Sequence, residues 1–337
     1  MVKRKWQEAD IKQAFFPVIE QNDIYWFDKS DHPYYINGYK AIVNGNNKRT
    51  FAVVSNNYHL VLNEDAYKMA DYFIKGIFNG LTLNDFKPFN VYLSKTKSSC
   101  RIDLIMPNSP FKAFGKDTER FIPFVRISNS YNKTVSLKYE IGFCRWMCLN
   151  GCIFGGKSMT FSFAHNKEIT NKQINIWIED TRKDIGQINN LWIAYEAKLK
   201  HLKEIDFPQS MVLPIFCKIF DIKVEKKERS QKRDENLALK ANVIINASKE
   251  YFNEMGNNAY ALYNVLTDYA SYPLGGNIST NFTHGYQRRV GSWIDEFIQE
   301  SGKEDFSLSK YIGDEAMDIA FHLESICHNS TQTLFCV

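Results

Sequence analysis

Residues 141–158 of the chain read IGFCRWMCLNGCIFGGKS, and the architecture depends on how this stretch is built into the fold. Residues 151–158 match the spacing of a phosphate-binding loop, in which Gly151 is followed by four residues and then by Gly156, Lys157 and Ser158. Such a loop leads into a helix, whereas the letters after Ser158, MTFSFAH, alternate as in a strand. We therefore predict a glycine-rich turn that reverses the chain between two strands. A nucleotide-hydrolysing site at residues 151–158 is the less favoured alternative.

The same stretch places Cys144, Cys148 and Cys152 at four-residue intervals. Zinc and iron–sulfur sites usually take closely spaced cysteine pairs and a fourth ligand, whereas even spacing lines the thiols up along one face. Free cysteine is among the most buried residue types. The row therefore indicates core packing, and we predict neither a metal site nor a cofactor.

The flanking sequence predicts strands first and helices last. Residues 51–62 and 89–165 cluster Val, Ile, Phe and Tyr between Pro, Gly and Asn, which is typical of strands and turns. Apolar residues at helical spacing predict helices over residues 63–78, 185–205, 258–271, 286–300 and 311–327. We expect an α+β fold: a curved, mostly antiparallel sheet in the N-terminal and central part, helices packed on it, and a helical C-terminal third.

Residues 223–240, KVEKKERSQKRDENLALK, are highly charged and almost free of apolar side chains before Leu237. Such a segment is typical of an exposed connection or a solvated helix. We therefore divide the chain into an α+β core domain at 1–222, a charged connection at 223–240 and a helical region at 241–337 that packs on the core.

Composition limits the possible functions. The 337 residues, 44% of them apolar, can bury a substantial core. The net charge of +4 permits contact with nucleic acid but does not enforce it. Seven scattered cysteines, a start without an apolar signal core and no apolar run long enough to cross a bilayer predict a cytoplasmic protein, here in a bacterial host, with no membrane contact.

Residues 125–165 carry a fixed arrangement of polar, glycine and cysteine positions. The positions are Asn129, Ser130, Tyr131 and Asn132, then Gly142, Phe143, Arg145, Cys148, Asn150 and Gly151, then His165. This arrangement resembles a large uncharacterised family of phage- and plasmid-type proteins, described only as a domain of unknown function. Two flanking stretches, around Tyr58 and Asn63 and around Tyr263 and Asn264, resemble it in the same order. The chain differs from the pattern at Lys133 and Thr134, where small residues are usual.

The resemblance implies a role in DNA metabolism or in conflict with a host. The expected architecture is also similar in outline to single-strand annealing proteins of the Red-beta and RecT type, which form rings or filaments and need no nucleotide. This second likeness concerns the fold alone.

Basic and aromatic residues supply the chemistry of single-strand binding, in which Lys and Arg follow the backbone and aromatic rings stack on bases. The candidates are Arg126, Lys133, Arg145, Lys157, Arg288, Arg289, Tyr131 and Trp146. The competing interpretation is that the charges are ordinary solvated groups and the rings belong to the core. Arg145 has apolar neighbours, so it either pairs with a buried acid or carbonyl or points into a cleft.

We found no hydrolase motif, neither a Gly-x-Ser-x-Gly elbow nor a His-Glu-x-x-His helix. The expected function is therefore non-enzymatic binding of single-stranded DNA by a self-associating protein. Such a protein would serve in strand annealing or recombination in a phage or mobile element. The alternative is a phage protein that binds and inhibits a host protein, since the aromatic content suits protein interfaces.

Overall fold

The structure is a computed structural model that describes residues 6–78, 80–108, 111–146, 150–153, 160–166, 173–176, 178–179, 188–222, 231–272 and 280–333. In these ranges the protein is α+β, as predicted, with antiparallel sheets in the N-terminal and central part and helices in the C-terminal half. No helix in them has the length and apolar character that a bilayer crossing requires.

The N-terminal part holds two small sheets. Its strands are β1 (Val18–Gln21), β2 (Tyr25–Phe27), β3 (Pro33–Tyr35), β4 (Tyr39–Asn44) and β5 (Thr50–Ser55). β4 pairs with both β1 and β5, and β2 and β3 form a separate hairpin. The three-stranded sheet packs its apolar side chains against Tyr58 and Tyr131.

The central sheet is antiparallel throughout and has the order β10-β9-β8-β7-β6, with β11 also paired to β9. Its strands are β6 (Lys87–Leu93), β7 (Ser99–Ile105), β8 (Phe121–Ser130), β9 (Leu137–Arg145), β10 (Asn150–Ile153) and β11 (Thr160–Phe163). Alternation of side chains gives this sheet two different faces. One face carries Ile102, Val125 and Ile141 into the main hydrophobic core, and the other carries charged residues.

The prediction that the glycines after Asn150 reverse the chain is wrong. β10 pairs antiparallel with β9 from Asn150 opposite Arg145 onward, and β11 pairs antiparallel with the same strand as far as Phe163 opposite Leu137. Both strands therefore run in one direction along one edge of β9, because β8 occupies the other edge. β9 and β10 are antiparallel, so the chain has already changed direction by Asn150. Residues 154–159, including Lys157, are outside the described part.

The helices cover the sheet and form the C-terminal half. They are α1 (Asn63–Ile77), α2 (Ile188–Glu204), α3 (Val212–Ile219), α4 (Gln231–Met255), α5 (Ala259–Ser271), α6 (Thr280–Ser301), α7 (Leu308–Ile312) and α8 (Asp314–Thr333). The buried stripe of α2 runs through Trp192, Tyr195 and Leu199, as its spacing predicts. Residues 231–240 of the charged stretch are the start of α4, and residues 223–230 are not described.

One hydrophobic core joins the sheet and the helices. It contains Ala14 near the N-terminus, Ile141 in β9 and Leu323 in α8. Helix α5 is buried along its whole length, from Ala259 to Ser271. Asn258 caps this helix, because its side-chain oxygen accepts from the Ala261 amide at 3.0 Å.

Candidate nucleic-acid interface

Four loops meet at the end of the central sheet where β9 begins. They are residues 55–57, 94–98, 132–136 and 164–166, and their sequences SNN, SKTKS, NKTVS and AHN contain no Asp or Glu. Hydrogen bonds hold them together. The Asn132 side chain donates to the Ser98 hydroxyl at 3.0 Å, and the amide of His59, two residues after the first loop, donates to His165 O at 2.6 Å. Lys95, Lys97 and Lys133 are exposed here. We call this surface the lysine end.

The turn between β8 and β9 is fixed by side chains that the sequence motif supplies. The Ser130 hydroxyl donates to Val135 O at 2.6 Å and accepts from the Val135 amide at 2.9 Å. The Asn132 side chain accepts from the Thr134 hydroxyl at 2.6 Å. Lys133 has a φ of 62°, a left-handed conformation that is uncommon for a residue with a side chain. The motif therefore builds a rigid turn that presents Lys133 to solvent.

A cleft of about 290 Å³ opens at the lysine end. Its lining comprises Ser55, Asn57, Tyr58, Lys133, Val135, Ser136, Ala164, His165 and Asn166. The Tyr58 and His165 rings stack at its floor, with centroids 5.1 Å apart and planes 24° apart. The Lys133 ammonium lies 5.7 Å from the Tyr58 ring centroid. The cleft thus combines a cation, hydroxyl and amide groups, and an aromatic floor.

His165 is a buried support of this floor. Its Nδ1 lies 3.2 Å from His59 O, and burial lowers the pKa of the imidazole, so the ring is neutral at physiological pH. A neutral ring with Nδ1–H donating to that carbonyl keeps the loop at 164–166 against His59. We assign His165 to positioning, because its ring is almost fully covered.

The charged face of the sheet holds a second, fully buried polar cluster. Arg126 donates to both oxygens of Asp103, at 2.6 and 2.8 Å, and its third nitrogen donates to Gln287 of α6 at 2.6 Å. The Arg101 guanidinium stacks 4.0 Å from the Tyr92 ring centroid beside them. Burial by itself raises the pKa of Asp103, but Arg126 and Arg101 outweigh it and hold this pKa below its ordinary value. The cluster fastens α6 to the sheet.

Residues 91–272 match the family model described as a domain of unknown function, DUF932. The chain belongs to the DUF932 family. No curated protein and no solved structure matches it. The resemblance to an uncharacterised family of unknown function is thereby confirmed. The DUF932 segment contains Lys95, Lys97 and Lys133, whereas Tyr58 and α6 lie outside it.

In this DUF932 protein the residues of the sequence motif form two groups at opposite ends of β9. The two ends of β9 are about 27 Å apart at 3.4 Å per residue. Asn129, Ser130 and His165 belong to the lysine end, where the Asn129 amide donates to Val61 O at 2.9 Å and to Asn63 Oδ1 at 3.0 Å. Gly142 pairs with Phe124 and Ile153 inside the sheet. Asn150 and Gly151 lie in β10, and the Asn150 side chain is not described. Cys148 is outside the described residues.

Arg145 lies at the other end of β9, and its apolar neighbours had left open whether it pairs with a buried group or points into a cleft. Its side chain is 2% exposed and donates to both oxygens of Glu119, at 2.8 and 2.7 Å. The Tyr260 hydroxyl of α5 also donates to Glu119, at 2.8 Å. Arg145 therefore pairs with a buried acid and joins β9 to α5.

The structure places the other predicted contact residues in different environments. Arg126 and Tyr131 are each 1% exposed, and Tyr131 packs between Phe16 and Phe51. With Arg145 they lie inside the protein, out of reach of a nucleic acid in this conformation. Trp146 is half-buried against the small cluster of Ile105, Ile122, Phe124 and Cys144. Lys133, Arg288 and Arg289 retain access to solvent, and Lys157 is not described.

The partners of the buried arginines were missed in the sequence. Asp103 sits between Ile102 and Leu104 in β7, and such a charge among alternating apolar residues could have indicated a buried ion pair. Glu119 and Gln287 come from a loop and a helix far away in the chain, and no local signal points to them.

The structure describes part of the cysteine row and part of the possible phosphate-binding loop at residues 151–158. Cys144 packs among apolar side chains, and no group of three His, Cys, Asp or Glu side chains in the described ranges could hold a metal ion. Gly151 lies in an antiparallel edge strand, whereas a phosphate-binding loop follows a buried parallel strand. The remainder of that motif falls outside the described residues.

Proposed function

We propose that this DUF932 protein binds single-stranded DNA at the lysine end. The observation that supports it most is the meeting of four loops that carry three exposed lysines and no carboxylate. Burial and, secondly, the nearby Glu20 carboxylate raise the pKa of Tyr58 to about 12. The Lys40 ammonium pairs with the Glu20 carboxylate at 2.8 Å. Exposed lysines attract phosphates, and the serine, threonine and asparagine side chains can donate to phosphate oxygens.

A single strand fits this surface better than a duplex. The cleft of about 290 Å³ is at the lower limit for a small ligand, so it suits one unpaired nucleotide. Turns on a sheet end offer neither a helix nor a ribbon for the major groove of a duplex. Together these features favour backbone-directed binding without sequence selection.

The test is fluorescence anisotropy of an oligothymidine with the full chain, over a range of salt concentrations, without ATP or magnesium. Affinity should fall steeply with salt, and each lost phosphate contact should reduce the slope of log affinity against log salt by about 0.7. Lys133→Ala should reduce both affinity and slope. Lys116→Ala removes an exposed lysine at the opposite end of the sheet and is the matched control. Absence of binding at low salt, or equal behaviour of the two variants, would refute the proposal.

The resemblance to phage- and plasmid-type proteins would give this binding a use in strand annealing or recombination by an oligomer in a mobile element. Such an activity needs no nucleotide. Annealing of complementary strands should therefore proceed in the absence of ATP. If ATP is hydrolysed and Lys157→Ala abolishes the hydrolysis, the nucleotide-binding alternative is the better account.

A second candidate function, binding of a protein partner, is favoured by the β2–β3 hairpin. Tyr25, Trp26, Phe27, Tyr34 and Tyr35 are between 49% and 59% exposed, and Trp26 stacks on Tyr34 at 5.0 Å. Exposed aromatic clusters mark protein interfaces, and the acidic residues Asp28 and Asp31 at the hairpin disfavour DNA. Sizing of the parent and of Trp26→Ser tests self-association. A parent that is monomeric at all concentrations would leave a foreign protein as the partner.

A further inference from the structure

We infer that the bound strand runs from the lysine end along β11 to a second basic site on α6; this inference rests on the proposed function. β11 is paired to β9 from Thr160 opposite Glu140 to Phe163 opposite Leu137. The loop at 164–166 then enters the cleft at the lysine end. One end of β11 thus lies at α6 and its other end at Lys133.

Along β11, the side chains on the charged face of the sheet carry hydroxyl groups. Thr160 and Ser162 alternate with the buried Phe161 and Phe163, so their side chains point away from the core. Ser162 lies opposite Lys138 in the strand pairing, and its hydroxyl is 2.7 Å from the Ser136 hydroxyl. Hydroxyl and ammonium groups therefore connect the two basic sites.

The far site is a cavity of about 590 Å³ between α3 and α6. Lys218, Arg288 and Arg289 contribute its positive charge. Arg288 reaches the strand itself, because its Nη2 donates to the Thr160 hydroxyl at 3.2 Å and its Nε lies 3.3 Å from Glu140. Arg289 is exposed, with its Nη1 3.5 Å from Ile219 O.

Charge favours an anionic ligand along this path. The cations are Lys133, Lys138, Arg288 and Arg289, and Glu140 beneath them is fully buried against Arg288. Asp221 and Glu296 line the cavity, and Glu296 accepts from the Tyr311 hydroxyl at 3.0 Å. Glu140 pairs with Arg288, and the two acids that line the cavity balance Lys218 and Arg289 in number. Arg289 is the exposed cation of this site, so it is the group there that can meet a phosphate.

The length of the path sets the number of nucleotides. Residues 160–166 span about 20 Å at 3.3 Å per residue. That distance corresponds to about six nucleotides at the 3.4 Å rise per nucleotide of one B-DNA strand, and to fewer when the strand is stretched. An octanucleotide can therefore occupy both sites, and a trinucleotide can occupy one.

The experiment compares a thymidine trinucleotide with an octanucleotide on the full chain. Arg289→Ala should weaken the octanucleotide about two- to fivefold, the range of one exposed ion contact, and leave the trinucleotide unchanged. Lys133→Ala should weaken both. Arg49→Ala removes an exposed arginine at the far end of β5 from Ser55 and is the matched control.

The outcomes separate this inference from the proposed function. If Lys133→Ala weakens both oligonucleotides while Arg289→Ala weakens neither, the path along β11 is wrong and the lysine end remains the binding surface. If the parent protein binds neither oligonucleotide at low salt, the proposed function itself fails.

Discussion

Arg145 and Glu119 form a two-bond ion pair inside the protein, with Nε 2.8 Å from Oε2 and Nη2 2.7 Å from Oε1. Tyr260 adds a hydrogen bond to the same carboxylate. The pair joins β9 to the start of β8, the neighbouring strand, and through Tyr260 to α5, which lies far away in the sequence. Its role is therefore structural, although the arginine is part of the sequence motif.

We predict that Arg145→Met lowers the free energy of unfolding by about 3–5 kcal/mol, because it leaves the Glu119 carboxylate partly buried without its cation. Urea denaturation measures the change. Lys116→Ala, an exposed substitution, should stay within about 0.5 kcal/mol of the parent. Unchanged stability of Arg145→Met combined with lost DNA binding would instead assign Arg145 to the ligand.

The stability of the protein should depend on pH through His165. Burial lowers the pKa of this imidazole from its ordinary value of 6.5 in the folded state. Below pH 6.5 the unfolded chain therefore takes up a proton that the folded chain resists, and folding stability falls as the pH decreases toward the folded pKa. At higher pH both states are neutral and this contribution is constant.

His165→Gln should remove that contribution, so the loss of stability below pH 6.5 becomes shallower. Thermal unfolding over a series of pH values measures it. The exposed His322→Gln serves as the control for loss of a histidine. A variant profile parallel to that of the parent would show that His165 does not stay neutral in the fold.

Two glycines in helices should respond oppositely to alanine. A Cβ at Gly76 in α1 would overlap the Ile178 side chain, whereas a Cβ at Gly285 in α6 meets nothing within 4 Å. Gly285→Ala should stabilise the protein by about 0.5–1 kcal/mol through helix propensity. Gly76→Ala should destabilise it by about 1–3 kcal/mol through overpacking.

Chemical denaturation of both variants and of the double variant Gly76→Ala with Ile178→Ala tests this contrast. Truncation of Ile178 removes the overlapping atoms, so the double variant should show a favourable coupling between the two sites. Additive effects of the two substitutions would mean that Ile178 does not pack on α1.

Local patterns predicted the secondary structure well where burial follows a regular period. The stripe of α2 was visible in the sequence because one face of this helix is apolar. β8 and β9 were visible as clusters of strand-type residues, and nearly all of their residues are buried. The chain reversal was misplaced, since glycines indicate turns but do not show which strand edge accepts the next segment. Of the candidate contacts, Lys133, Arg288 and Arg289 lie on accessible surfaces, while Arg126, Arg145 and Tyr131 are buried.

The sequence by itself determined the α+β class, the DUF932-type motif and the lysine-rich, carboxylate-free composition of the loops, because these depend on residues close together in the chain. Only the tertiary structure decided which charges face solvent. Asp103 and Glu119 reach Arg126 and Arg145 through the pairing of neighbouring strands, and each neutralises an arginine that the sequence alone suggested as a ligand contact. A charge becomes available or buried according to its partner, and that partner is fixed by packing rather than by local sequence.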